Sequence, residues 1–205
     1  MAAPYLHEQT ASEESLVVCL VQAKMRSIGN DESPIENCME CIRMMEASWQ
    51  ENSTISLFVL PELSSIGYSE DSFRRYLPTT KANRNMLSDI DTLFADFSER
   101  LGVHVSYGTV GWWNTPSEDG DACVSTSIRQ VVLDKNGNQV AVYDKMYVCD
   151  YGDCSETRFF QQGPHSQPTS FSIGLFRIGI IICADIRYPD LCRRLAHDHK
   201  VDAVL

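Results

Sequence analysis

Apolar and polar positions along the chain fall into two alternating kinds of run. Leu16–Gln22 is short, apolar and β-branched, the pattern of a buried strand. Ser33–Gln50 opens with Pro34 and then repeats apolar residues at Ile35, Cys38, Cys41, Ile42, Met45 and Trp49, which is helical spacing. Ile55–Leu60 is a second continuous apolar run and ends at Pro61. Met86–Leu101 returns to helical spacing and meets Gly102 at its C-cap, and Val103–Trp112 reads as a strand. Ser125–Leu133 and Gln139–Tyr147 flank the turn Asp134–Gly137, which predicts a hairpin. Phe171–Leu175 and Arg177–Cys183 are strands, Pro189–His199 a helix, and Val201–Leu205 a further apolar strand. Strands and helices alternating around an inserted hairpin predict an α/β fold with a mixed sheet covered by helices. No repeat or linker divides the chain, so one domain is expected over 16–205, behind an acidic, disordered tail over 1–15.

Charge narrows the range of partners. The 205 residues carry 17 Lys and Arg against 28 Asp and Glu, a net charge of −11. Basic residues never run beyond two in a row, which argues against nucleic acid and against an anionic membrane surface. The longest apolar run, Ile178–Ala184, falls far short of the roughly 20 residues of a membrane span. The first fifteen residues lack a basic n-region and an apolar h-region. A cytoplasmic protein with its eight cysteines as thiols is therefore expected. Cys38 and Cys41 form a C-x-x-C and, with Cys149 and Cys154, make a conceivable zinc set. The first pair, however, sits on the apolar face of a helical segment, where cysteine packs as a small hydrophobe. Buried thiols are the expectation, with no metal.

Chemistry concentrates at three strand ends. Leu57–Pro61 delivers Glu62, Val140–Asp144 delivers Lys145, and Ile178–Ile182 delivers Cys183. Sites in open α/β sheets form at the carboxyl ends of strands, so these three side chains could converge. Taken singly, each has a plainer reading: a surface carboxylate, a solvated lysine and a packed cysteine. Other cysteine chemistries fit less well. A phosphatase needs an arginine six residues after its cysteine, where this chain has Pro189. A papain-like site needs a histidine partner, and none of His7, His104, His165, His197 or His199 follows an apolar strand that offers one.

The order of these motifs resembles the nitrilase superfamily, the carbon–nitrogen hydrolases. The matching pieces are Leu60–Tyr68, Val142–Tyr147, Glu156 with Gly163, and Ile180–Asp190, spread over nearly the whole chain from Val17 to Leu205. The resemblance implies an α-β-β-α sandwich, and it implies roles. Cys183 is the nucleophile, Glu62 the general base and Lys145 the stabiliser of the tetrahedral intermediate, helped by the backbone N–H of Ala184. Glu156 corresponds to a second glutamate that helps position substrate and the lysine. No metal or organic cofactor is implied. Such enzymes cut a non-peptide C–N bond through a thioester, release ammonia and usually self-associate, so a homo-oligomer is expected.

Nitrile-cleaving relatives tend to carry Trp-Glu after the cysteine, whereas this chain has Ala184-Asp185, as in amidase and carbamoyl-amidase branches. Arg187 is placed to grip a substrate carboxylate in bidentate fashion, or alternatively to brace Asp185 or Asp190. The first reading gives an amide or ureido substrate bearing a carboxylate. Trp112 and Trp113 face opposite ways along a strand, so at most one lines a pocket. Family members continue well past the strand after the cysteine, so the second sheet is expected to be incomplete at its C-terminal end, as in a truncated chain. The acidic, cysteine-bearing segment Tyr147–Cys154 is a further departure. Two functions therefore stand side by side: an amide-type hydrolase working through an unusually acidic Cys183, or a catalytically inactive α/β interaction module.

Overall fold

The computed structural model describes residues 15–23, 33–116, 122–150 and 155–205. The expected tail over 1–15 lies, apart from Ser15, outside the described residues. Among those residues, two sheets and four helices are formed. The first sheet is ordered β1 (Val18–Leu20), β2 (Leu57–Val59), β3 (His104–Pro116), β4 (Ala122–Leu133) and β5 (Gln139–Asp144). Its first three strands run parallel and the last three antiparallel. The second sheet is β6 (Thr169–Ile173), β7 (Phe176–Ile180) and β8 (Ala203–Val204), with β6 antiparallel and β8 parallel to β7.

Strand alternation sorts the side chains into layers. Phe58, Val105, Tyr107, Val131 and Leu133 face one way, against helices α1 (Pro34–Glu51) and α3 (Lys81–Leu101). There they meet Cys38, Cys41 and Met45 of α1 and Ile90, Phe94 and Phe97 of α3. Leu57, Val110, Ile128, Val132, Ala141 and Tyr143 face the other way and pack against Phe171, Ile178 and Ile180 of the second sheet. Gly179, between those two isoleucines, lies under Leu195 of helix α4 (Pro189–His197); a Cβ there would meet the leucine at 3.2 Å. The order is helix, sheet, sheet, helix, as the resemblance implies.

Local chemistry explains the helix ends. Ser33 caps α1 in a reciprocal capping box with Glu36, and Pro34 occupies the first turn. Thr80 Oγ1 accepts from Asn83 N at 3.1 Å, so α3 begins at Lys81, five residues ahead of the apolar repeat. Gly102 closes α3 in the left-handed conformation at φ 66°. Helix α2 (Glu70–Tyr76) has no counterpart in the sequence reading; it is too short to show a period and is started by Ser69, whose Oγ accepts from Ser72 N. Cys38 and Cys41 are buried thiols, Cys149 is half-buried, and Cys154 lies outside the described residues.

Candidate active site

The turn that carries Glu62 is set by close backbone packing. Leu60 N donates to Ser106 O, and Ser65 N donates to Gly108 O at 2.9 Å, so residues 60–65 lie flat on β3. Gly108 has no side chain because none fits: a Cβ would stand 2.4 Å from Leu63 N and 2.5 Å from Pro61 O. Leu63, next to Glu62, takes a φ of 51°, and Gly67 closes the turn at φ 79°.

Lys145 follows β5 directly. Its backbone N–H donates to Ile128 O, and its carbonyl accepts from Ser166 Oγ at 3.4 Å. The preceding Asp144 is fully buried and takes a two-pronged bond from Arg129, plus bonds from Ser127 Oγ and His165 N. Burial works to raise the Asp144 pKa, but the guanidinium together with the Ser127 and His165 bonds outweighs it and holds the carboxyl below its ordinary value. Gly163 packs so closely here that a Cβ would sit 2.2 Å from Asp144 Oδ2.

Held in this way, the fully buried Lys145 ammonium donates to Glu62 Oε1 at 2.7 Å and to Glu156 Oε1 at 2.7 Å. Glu156 belongs to a short 3₁₀ turn, Glu156–Arg158, and is itself fully buried. Its Oε1 also accepts from Tyr68 Oη at 2.6 Å, and its Oε2 accepts from Cys149 N at 2.6 Å. One lysine thus bridges two carboxylates from distant parts of the chain. Burial opposes the charge on Lys145, yet the paired carboxylates prevail and its pKa is raised. Burial raises the Glu62 pKa even against the neighbouring ammonium.

Strand β7 ends at Ile180, three residues earlier than the apolar pattern implies, and Cys183 opens a 3₁₀ turn, Cys183–Arg187. Cys183 holds a φ of 46°, a left-handed conformation that a non-glycine residue adopts at a cost. A cavity of about 100 Å³ joins it to Glu62, lined also by Gln130, Ile182 and Leu205. The expectation of an acidic thiol is not met. Burial and then the negative charge of Glu62 push the Cys183 pKa above its ordinary value, with Lys145 acting against them. A carboxylate close to a thiol disfavours the thiolate, and the one ammonium that favours it is shared between two carboxylates.

Ala184 is buried beside Cys183 in the same turn, and Arg187 ends that turn as an exposed residue. Asp185 accepts from Tyr143, Tyr147 and Ile182, and Asp190 pairs with Arg193 at 3.1 Å. Neither Trp112 nor Trp113 lines the cavity beside Cys183; Trp112 is exposed, with Arg84 over its ring. The reading of residues missed Tyr68 and Asp185. Both stand inside the motifs that identified Glu62 and Cys183, and their hydrogen bonds have no signature in spacing.

Residues 18–200 match the family described as Carbon-nitrogen hydrolase. The chain belongs to that family. Similar proteins include a glutamine-dependent NAD(+) synthetase of Thermotoga maritima, 28% identical over 163 residues, covering 80% of this chain and 24% of the synthetase. A deaminated glutathione amidase of Yersinia enterocolitica is 25% identical over 167 residues, covering 78% of this chain and 54% of the amidase. Among solved structures, a mutant of the amidase from Nesterenkonia sp. AN1 shows Michael addition of acrylamide at its active site cysteine. It superposes with a TM-score of 0.68 at 17% identity, over 87% of this chain and 61% of that one. The fold is thus that of the nitrilase-superfamily amidases. This member of the family spans about half or less of the length of the two curated relatives.

Proposed function

We propose that the chain forms a hydrolase domain, over residues 16–205, that cleaves an amide or ureido C–N bond of a small molecule through Cys183. The observation that carries this reading is the bridge from Lys145 to Glu62 and Glu156 at 2.7 Å each, next to the cavity that Glu62 shares with Cys183. Family membership and the amidases among the relatives support it. Burial first, and the charge of Glu62 second, hold the Cys183 pKa above its ordinary value, so the reaction starts from the thiol. When a substrate carbonyl carbon approaches Sγ, Glu62 takes the thiol proton as the S–C bond forms. Lys145 and the Ala184 N–H stabilise the oxyanion. Glu62 then passes the proton to the nitrogen, the C–N bond breaks, and ammonia leaves a thioester on Cys183. Glu62 next deprotonates a water, which attacks the thioester; the C–S bond breaks and the thiol is restored. The net reaction adds one water and releases ammonia, leaving a carboxylic acid from an amide and a carbamic acid from a ureido group.

Arg187 is the residue proposed to select substrates bearing a carboxylate. The free thiols among the described cysteines suit a reducing, cytoplasmic setting, and a homo-oligomer is the assembly proposed. No helix among the described residues is long and apolar enough to cross a membrane.

Ammonia release from a panel of carboxylated amides and ureido acids tests the reading. At least one compound is expected to be turned over, with Cys183→Ala and Glu62→Gln each lowering the rate by about 10³-fold or more. Equal ammonia release by Cys183→Ala overturns it, as does a panel without turnover.

A further inference from the structure

Lys145 and Cys183 arrive from different sheets, and one carboxylate ties their segments together. Asp185 is completely buried. Its Oδ2 accepts from Ile182 N at 2.9 Å, closing a ring of backbone around Cys183 and Ala184. The same oxygen accepts from Tyr143 Oη at 2.6 Å, on β5 just ahead of Lys145. Its Oδ1 accepts from Tyr147 N at 3.0 Å, just beyond Lys145. The turn is closed from the backbone side as well, Asp185 N donating to Ile182 O at 3.0 Å and Tyr188 N to Asp185 O at 3.0 Å. Three donors thus converge on one side chain, from both flanks of the lysine and from the residue before the cysteine.

We propose that Asp185 is a positioning residue, which fixes the Lys145 ammonium against Cys183 and holds Cys183 in its left-handed conformation. Two of its three donors are backbone N–H groups that cannot turn away, so an acceptor is required at both carboxylate oxygens. An asparagine of the same size puts its NH₂ against Ile182 N–H or against Tyr147 N–H, whichever way it is turned. This proposal deepens the hydrolase reading and rests on it.

The experiment follows alkylation of Cys183 by iodoacetamide against pH, with peptide mapping, in the wild type, Asp185→Asn and Tyr143→Phe, alongside ammonia release. Removing a negative charge by itself lowers a nearby thiol's pKa or leaves it alone. Loss of the positioning instead draws Lys145, which favours the thiolate, away from Cys183. The Cys183 midpoint is therefore expected to rise in Asp185→Asn by about 0.5 pH unit or more, with kcat falling about 10²-fold and KM little changed. Tyr143→Phe removes one neutral hydroxyl and keeps both backbone bonds. It is expected to raise the midpoint less and to lower kcat about 3-fold, and it serves the test even if Asp185→Asn does not fold. A midpoint that stays or falls in either folded variant overturns the proposal. Wild type that alkylates normally but releases no ammonia from any substrate overturns the hydrolase reading, while the midpoints still judge Asp185.

Discussion

At the scale of single residues, the site depends on charges that would be unfavourable one at a time. A buried lysine or glutamate is costly alone; the Lys145 ammonium shared between Glu62 and Glu156 makes all three acceptable. Burial raises the Glu62 pKa against the pull of Lys145, and burial and then the charge of Glu62 raise that of Cys183, the balance that the proposed proton transfer from Cys183 to Glu62 uses. This arrangement has a measurable signature. The proposed reaction needs Glu62 ionised, so kcat/KM should fall as pH drops through the Glu62 pKa. That acid limb is expected above the ordinary glutamate value of about 4.3. Replacing Glu156 by Gln removes a like charge that raises the Glu62 pKa, and should move the limb downward. A profile whose acid limb sits at or below the ordinary value contradicts this electrostatic account. Glu62, Lys145 and Cys183 stood out in the chain because each follows an apolar strand, and the roles proposed for them came from the resemblance. The direction of the Cys183 shift was not, since it depends on which charge lies nearer and how deeply each is buried.

Elements convert those side chains into a geometry. Strand β3 contributes an absence: Gly108, whose bare Cα lets the Glu62 turn rest on the strand with backbone atoms 2.4–2.5 Å from where a Cβ would be. Backbone on both sides leaves no flexible group to yield, so Gly108→Ala should push the turn outward. The expected outcome is a protein destabilised by about 1–3 kcal/mol in denaturant melts and slowed about 10²-fold in kcat. A variant with wild-type kcat would show that the turn does not need this contact. The apolar periods located α1, the longer part of α3, the β4–β5 hairpin and α4. They overran the strand ends at Asp144 and Ile180, because apolar residues continue past the last ladder bond into turns. They gave nothing for α2, which is held by its cap and by Phe73 packed on Phe159 and Phe160.

For the whole molecule, the layers follow from strands that are apolar on both faces, one set of side chains meeting helices and the other meeting the second sheet. That pattern predicted α/β with a mixed sheet. The split into two facing sheets came from the resemblance, because pairing between distant strands leaves no local trace in sequence. The layers bring Glu62, bridged through Lys145 to Glu156, from the first-sheet side to the cavity it shares with Cys183, in the turn beyond β7 of the second. The site is therefore a property of the packed sandwich, and its central claim is that Cys183 becomes acylated there. The direct measurement is acid quenching during turnover of a carboxylated amide, followed by peptide mapping for an acyl mass. An acyl group on the Cys183 peptide, appearing with the first equivalent of ammonia and missing in Cys183→Ala, is the predicted result. Ammonia released with no acyl group on that peptide, or with one on another cysteine, would contradict the account.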